Sequence, residues 1–286
     1  MKQRTAEKND KTCILIFIFL FCAAFFLCLS SCLSPFGNMM IDADTSVYLT
    51  IARGITEGKV PFRDFFDNKG PILYLINALG MLFGFTGVWV IEIAFMFISV
   101  FFAYKTALFF GSRFSSFLGV IFSLLILRMF FYEVAGPAEY SIPFTIISLY
   151  IFSKYYFSEG KPSFFEFIIL GFCFSVSVLM RINLFSLWLS FCLVIITELL
   201  IKHKILFLFK YFISFIAGIL VVIIPVYFYL SINNALSDFI SQNLFSGSSR
   251  AFLGFSIKET IKNFYIIIEK NYCFIPFVIG SFWIIK

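Results

Sequence analysis

The sequence predicts an all-α protein: a polytopic transmembrane helix bundle of about eight spans, with interfacial helices in its first outer loop. Three observations carry that reading. Of 286 residues, 61% are apolar and only 13% charged, with 45 phenylalanines, whereas soluble domains carry about 25% charged residues. The apolar residues fall in recurrent runs, each about as long as the ~20 residues a helix needs to cross a ~30 Å hydrocarbon core. Finally, Lys and Arg recur in every second connection between those runs, as the orientation signals of membrane proteins do.

Met1 to Lys11 is a polar tail with Lys2, Arg4, Lys8 and Lys11, which keeps the N-terminus cytoplasmic and sends the first span, Thr12 to about Leu33, outward. That run is longer than the ~7–15-residue core of a signal peptide. The tetrapeptide Leu29-Ser30-Ser31-Cys32, although like a lipoprotein cleavage box, reads as a chance match because many spans follow. Residues 34–85 form the first outer loop. Within it Ser46 to Gly58 reads as a short helix along the membrane surface, with Val47, Leu49, Ile51 and Ile55 as its apolar contacts and Arg53–Glu57 paired at i,i+4. Gly58 ends it, Pro61 forces an extended turn, and Pro71 takes the first position of an interfacial or re-entrant helix, Ile72 to Phe83.

The remaining expected spans are Thr86–Phe110, Phe114–Phe131, Ile142–Tyr156, Phe164–Met180, Leu184–Ile201, Tyr211–Leu230 and Tyr272–Ile285. Lys105 and Arg113, Lys154 and Lys161, then Lys202, Lys204 and Lys210 mark the cytoplasmic connections. A second outer loop, Phe131 to Ser141, holds Glu133 and Glu139, and Asn233 to Lys270 forms a longer outer segment.

Net charge is +6, but the bases are scattered between apolar runs, which argues against a nucleic-acid face. The seven cysteines form no C-x-x-C pair, so zinc and thiol-redox chemistry lose support; packing within the membrane accounts for them. No Walker loop, dinucleotide fingerprint, H-E-x-x-H or G-x-S-x-G is present. No cofactor is expected and no residues are assigned as metal ligands; the sequence leaves a divalent-metal requirement open.

Charges near a membrane core are costly and need a reason. Here they gather at the outer ends of spans: Asp42 and Asp44, Arg128, Glu133 and Glu139, and Arg181. Two readings fit. One is a polar cavity whose acids move protons and whose bases hold a phosphate; the other is a set of ion pairs tying loops to the bundle. Lys69-Gly70-Pro71, after Asp64, Asp67 and Asn68, suits an anion beside a helix N-terminus, or a turn capped by Asp67 or Asn68. Arg181 and Asn183 fit a snorkelling pair and a phosphate or sugar contact equally well. Glu92, inside an apolar run, is expected to satisfy a neighbouring helix, and His203 to be a bystander.

Three stretches resemble a known family. Asp44 with Ser46-Val47-Tyr48-Leu49, then Gly58-Lys59-Val60-Pro61-Phe62-Arg63-Asp64 and Phe66-Asp67-Asn68-Lys69-Gly70-Pro71-Ile72-Leu73-Tyr74, resembles the first outer loop of GT-C glycosyltransferases. The branch is the bacterial one similar to protein O-mannosyltransferases and to lipopolysaccharide-core sugar transferases of the RgtA/B/C/D type. Gly136-Pro137-Ala138-Glu139-Tyr140-Ser141-Ile142-Pro143-Phe144 is similar to that family's acidic motif, and Leu179-Met180-Arg181-Ile182-Asn183 is a weaker match. The resemblance covers roughly the first two-thirds of the chain. It implies a GT-C-like fold and an enzyme that takes a sugar from a polyprenyl-phosphate carrier, with inversion. The acceptor would be an envelope glycan, lipid or protein, at the extracytoplasmic face of a bacterial inner membrane.

By the same resemblance Asp44 is the general base, Glu139 the second acid of the site, and Arg63, Lys69 and Arg181 the lipid-phosphate contacts; Asp42 and Asp64 complete the substrate-binding set. Asn68 stands where relatives often carry His. Family members continue for further spans, so the chain, ending at Lys286, is expected to be the front module of a longer enzyme. A carrier or flippase for a lipid-linked sugar, and an inactive scaffold, are the alternatives; the inverted repeat common in carriers is not evident.

Overall fold

The computed structural model describes residues 2–37, 40–130, 134–157 and 163–245. Among them there is no strand, only an isolated bridge between Pro61 and Phe65. The chain divides into two units, Met1–Phe239 and Ile240–Lys286. Of the second, the described part is a π-helical turn, Ile240–Phe245; the expected last span, Tyr272–Ile285, lies outside the described residues.

The first unit holds α1 (Lys2–Cys28), α2 (Ala43–Thr56), α3 (Pro71–Met81), α4 (Gly84–Ala107), α5 (Arg113–Phe130), α6 (Pro137–Phe157), α7 (Phe164–Val178), a 3₁₀ turn at Ile182–Leu184, α8 (Phe185–Ile201), α9 (Ile205–Ile232) and the short α10 (Leu236–Phe239). Among the described residues, three segments are long and apolar enough to cross a membrane: Gly84–Ala107, Ile182–Ile201 and Ile205–Ile232. Large apolar side chains stand exposed on α8 and α9, among them Leu193, Phe209, Val221 and Phe228; water would penalise such a surface, and lipid would not.

Several boundaries differ from expectation, each for a local reason. Helix α1 starts at Lys2, so the polar tail is helical and continuous with the apolar run. Helix α2 starts at Ala43 because Asp42 caps it: the Asp42 carboxylate accepts from the Thr45 N–H at 2.9 Å. It ends before Gly58, whose φ of +87° is left-handed. Its buried face carries Tyr48, Leu49, Ile51 and Ala52, while Val47, expected among the contacts, is exposed. Helix α6 starts at Pro137 rather than Ile142, with Pro in the first turn where its missing N–H costs nothing. Helix α9 starts at Ile205, which puts Lys210 inside a helix rather than in a loop.

Helices α7 and α9 cross with reciprocal glycines: a Cβ on Gly171 would lie 1.9 Å from the Phe215 carbonyl oxygen, and one on Gly218 would lie 2.0 Å from that of Ile168. Small residues at such a crossing let two backbones touch. The larger apolar cluster joins α1 through α6 to α9, and a smaller one holds Ile151, Phe167, Leu170, Ile195, Leu199 and Tyr211. In the smaller cluster Phe167 stacks on Tyr211 with ring centroids 4.0 Å apart.

The connections sort to two ends of this unit. Lys154 pairs with Glu166 across the α6–α7 connection, and Lys202 with Glu198 beside the α8–α9 turn; Lys105 and Arg113 flank the α4–α5 turn. The opposite end is spanned by α2 and α3, which pack on each other and reach the residues before α6 and after α7. The candidate site lies there.

Candidate functional site

The polar end is held together by a chain of hydrogen bonds between segments far apart in sequence. Thr45 in the first turn of α2 sits 2.6 Å by its hydroxyl from both the Asp42 carboxylate and the Val134 carbonyl oxygen. The next residue, Ala135, has φ +55°; its N–H donates to Glu139 Oε2 at 2.7 Å and its carbonyl accepts from Asn77 Nδ2 at 2.9 Å. The Tyr140 hydroxyl donates to Asn77 Oδ1 at 2.9 Å. Helices α2, α3 and α6 are thereby pinned to one strained turn. In this buried setting each bond is expensive to leave unmade.

A second junction joins the other two stretches. The Gly70 N–H donates to the Met180 carbonyl oxygen at 2.9 Å, and the Ile72 N–H to that of Leu179 at 3.4 Å. A Cβ on Gly70 would lie 1.8 Å from the Leu179 carbonyl oxygen, so only glycine admits this approach. The junction makes Lys69 and Arg181 neighbours of the same pair of hydrogen-bonded strands of backbone. Pro71 is the first helical residue of α3 as expected, but the cap is Gly70 and no side chain bonds to it. Asp67, expected as a possible cap, instead accepts from the Asn68 N–H at 2.6 Å and from the Tyr74 hydroxyl at 2.7 Å.

The sequence-predicted residues fall into three groups. Asp44 is exposed in the first turn of α2 and has no hydrogen bond or ion pair among the described residues. Lys69 is half-buried, donates to Asn68 Oδ1 at 3.0 Å and stands 5.8 Å over the ring of Tyr48; Tyr48 follows Asp44 by one helical turn, on the same face of α2. Arg181 is exposed at the start of the 3₁₀ turn. These three carry charge that can meet a ligand.

Asp42, Arg63 and Asp64 are engaged with the protein. Asp42 is the cap of α2. Arg63 grips Asp64 through both Nε and Nη2, at 3.0 and 2.9 Å, and donates to the Asn233 carbonyl oxygen at the end of α9 at 3.3 Å. Asp64 also accepts the Val60 N–H at 2.7 Å. The Arg63 hydrogen bond first, and that N–H second, hold the Asp64 carboxyl down to about 2.

Glu139 stands apart: buried, third in α6, its carboxylate turned to the Ala135 N–H and inward. Inward of it lies Glu92 of α4, which is 1% exposed. Expected to satisfy a neighbouring helix, Glu92 does not do so: neither of its carboxylate oxygens has a hydrogen-bond partner among the described residues. Ser31 and the Ala135 N–H lie on the side it faces, outside hydrogen-bonding geometry. Sequence reasoning passed over Asn77 and undervalued Glu92. Each is a lone polar residue in an apolar helix, and that was the available signal. Glu133 and the side chain of Arg128 lie outside the described residues.

Beneath the second junction is an apolar cavity of about 540 Å³, bounded by α3, α4, α6, α7 and α9 and lined by Ile72, Ile76, Phe144, Val176, Val222 and Tyr229, among others. Tyr229 brings its rim to Arg63 and Asp64. No group of three His, Cys, Asp or Glu side chains able to hold a metal occurs among the described residues.

Fold and site together define an all-helical membrane protein with a hydrogen-bonded polar end and free charge on its surface. More particularly, the chain belongs to the family described as the putative competence-induced protein Ccs4 N-terminal domain, whose model matches residues 2–267. No curated protein and no solved structure matches it.

Proposed function

We propose that the protein is a membrane glycosyltransferase with a GT-C-like bundle of about eight spans, transferring a sugar from a polyprenyl-phosphate donor to an acceptor outside the cytoplasm, with inversion. One observation carries the reading. The three stretches that resemble those transferases are distant in sequence, yet they meet at one end of the bundle: the Gly70 N–H bonds the Met180 carbonyl directly, and Thr45 and Asn77, beside or just after the first stretch, bond Val134 and Ala135, just before the second. Asp44 is then the general base on the acceptor hydroxyl, because it is an exposed carboxylate with no internal partner among the described residues. Lys69 and Arg181 hold the donor phosphate, which leaves as an anion and needs charge stabilisation more than a proton. The apolar cavity beside Arg63 suits the isoprenoid chain that carries that phosphate. Arg63 and Asp64 serve the rim as a structural pair, and Asp42 serves α2. The family's name, competence-induced, leaves this chemistry open.

A second reading, a carrier for a lipid-linked sugar, is favoured by Glu92, since unpaired acids inside a helix bundle mark proton-coupled carriers as well as enzymes. Radiolabelled sugar presented on a polyprenyl phosphate, with the purified full-length protein and envelope extract as acceptor, separates the two. Covalent transfer supports the enzyme; donor that only changes leaflet in proteoliposomes, with no transfer, supports the carrier.

A further inference from the structure

Glu92 is a buried carboxyl in an apolar helix. Its side chain is 1% exposed and both of its oxygens lack a donor among the described residues. The groups facing it come from each element packed around it. The end of α1 and the turn after it offer Cys28, Ser31 and Cys32; α6 offers Glu139 and Tyr140; the turn before α6 offers the Ala135 N–H. Helix α3 offers Asn77, which is already bonded to Ala135 and Tyr140. No lysine or arginine among the described residues acts on the Glu92 carboxyl, whereas the Glu139 carboxylate does.

Among the described residues an ionised carboxylate in such a place finds no bonded donor and no counter-charge, and a second carboxylate acting on it makes matters worse. The desolvation penalty alone is several kcal/mol per ion. A bound metal would relieve it, but no three-ligand set exists among the described residues. A proton relieves it with no further ligand, and carboxyl pairs that approach each other in a protein interior behave this way. Cys28 and Cys32 are poor competitors for the role, since a thiol in apolar surroundings is inert.

We propose that Glu92 is a proton-binding site: its carboxyl carries a proton in the folded protein, while Glu139, whose carboxylate accepts the Ala135 N–H, keeps the negative charge. Glu92 is a positioning residue in this arrangement. By staying neutral it leaves Glu139 as the single carboxylate that holds the Ala135 N–H, and with it the turn to which α2 and α3 are tied. The site therefore couples the proton occupancy of a buried pair to the geometry of the exposed end. Its role in sugar transfer rests on the function proposed above; the proton itself does not.

Infrared spectroscopy of the full chain in lipid nanodiscs, in light and heavy water, tests the proposal. The expected result is a protonated-carboxyl C=O band at neutral pH, shifted in heavy water, lost in Glu92→Gln and moved in frequency in Glu139→Gln. The amide in Glu92→Gln fills the same volume without charge, so the thermal midpoint stays at the wild-type value. Should that variant fail to fold, the frequency change in Glu139→Gln still decides. A folded wild-type protein with no such band at neutral pH overturns the proposal, as does a band untouched by both substitutions, or a band that appears only when sodium is withdrawn, which would make the ligand a metal cation. Failure of sugar transfer leaves the band in place, so the two ideas fail separately.

Discussion

Replacing Gly70 by Ala tests the junction that brings Lys69 and Arg181 together. Gly70 has φ −81° and ψ 161°, a conformation alanine adopts freely, so backbone strain contributes nothing. The cost is steric. The new Cβ would sit 1.8 Å from the Leu179 carbonyl oxygen and 2.4 Å from its carbon, and backbone atoms of a helix end cannot swing aside as a side-chain tip can. Relief requires the α3 start to move away by more than an ångström, which breaks the 2.9 Å bond from the Gly70 N–H to the Met180 carbonyl oxygen. Overpacking costs about 1–3 kcal/mol and the lost bond about 0.5–1.5 kcal/mol, so the expected destabilisation is about 1.5–4.5 kcal/mol. A protein of this size loses ~2–4 °C per kcal/mol, which puts the fall in thermal midpoint at no less than about 3 °C. Differential scanning fluorimetry in detergent reads it. Gly58→Ala is the contrast: nothing lies within 4 Å of its Cβ, and only the left-handed φ of +87° penalises it, by about 1 kcal/mol. A Gly70→Ala protein as stable as wild type, or no less stable than Gly58→Ala, refutes the junction.

Three further outcomes are expected. Asn77→Ala strips the Ala135 carbonyl and the Tyr140 hydroxyl of their partner; at about 1–3 kcal/mol for each orphaned group, urea titration of the folded protein should show a loss of about 2–6 kcal/mol, and a neutral result shows that the network does not hold this end together. Lys69→Ala weakens binding of a polyprenyl-phosphate donor about tenfold, the lower end of the ~1.5–3 kcal/mol range for charge-assisted bonds, because Lys69 must first leave Asn68; unchanged affinity by calorimetry in detergent counts against a phosphate there. Asp64, held down to about 2 by Arg63 and then by the Val60 N–H, contributes stability that is present above the unfolded value of 3.8 and is lost as pH falls through the folded one; Asp64→Asn should therefore flatten the acid limb of the midpoint-against-pH curve, and an identical limb in both proteins would show that the pair does not matter.

Much of the helical order was legible because apolar runs and helix punctuation act locally. Pro71 at the head of α3, Gly58 after α2 and the Arg53–Glu57 pair, 3.2 Å in length, stand where the sequence puts them. Boundaries moved where a tertiary or capping contact outweighed hydropathy: Asp42 pulled α2 back to Ala43, and Gly136-Pro137 pulled α6 back over a polar stretch that hydropathy reads as loop. The candidate site was legible as residue types but not as roles. Asp42 and Asp44 look alike in sequence; one caps a helix and the other is exposed, a difference decided by which one reaches the Thr45 N–H. Arg63 reads in sequence as a phosphate contact; that its guanidinium also bonds Asp64 and the end of α9 depends on tertiary packing. Glu92 could be seen as an anomaly, but whether a neighbour satisfies it depends on the packing of α1, α4 and α6, which no local pattern encodes.

Turnover per folded molecule in Asp44→Asn is the decisive test of Asp44 as the base of a sugar transfer at this polar end. Asparagine keeps the size and most hydrogen bonding of aspartate but is not basic. Since Asp44 has no internal partner among the described residues, folding and membrane insertion should be unchanged. General-base catalysis contributes ~10²–10⁴-fold, so transfer from a polyprenyl-phosphate donor is expected to fall by at least ~10²-fold, while Asp42→Ala, which removes the cap, lowers the thermal midpoint and spares turnover per folded molecule. Near-wild-type turnover in folded Asp44→Asn would contradict the claim.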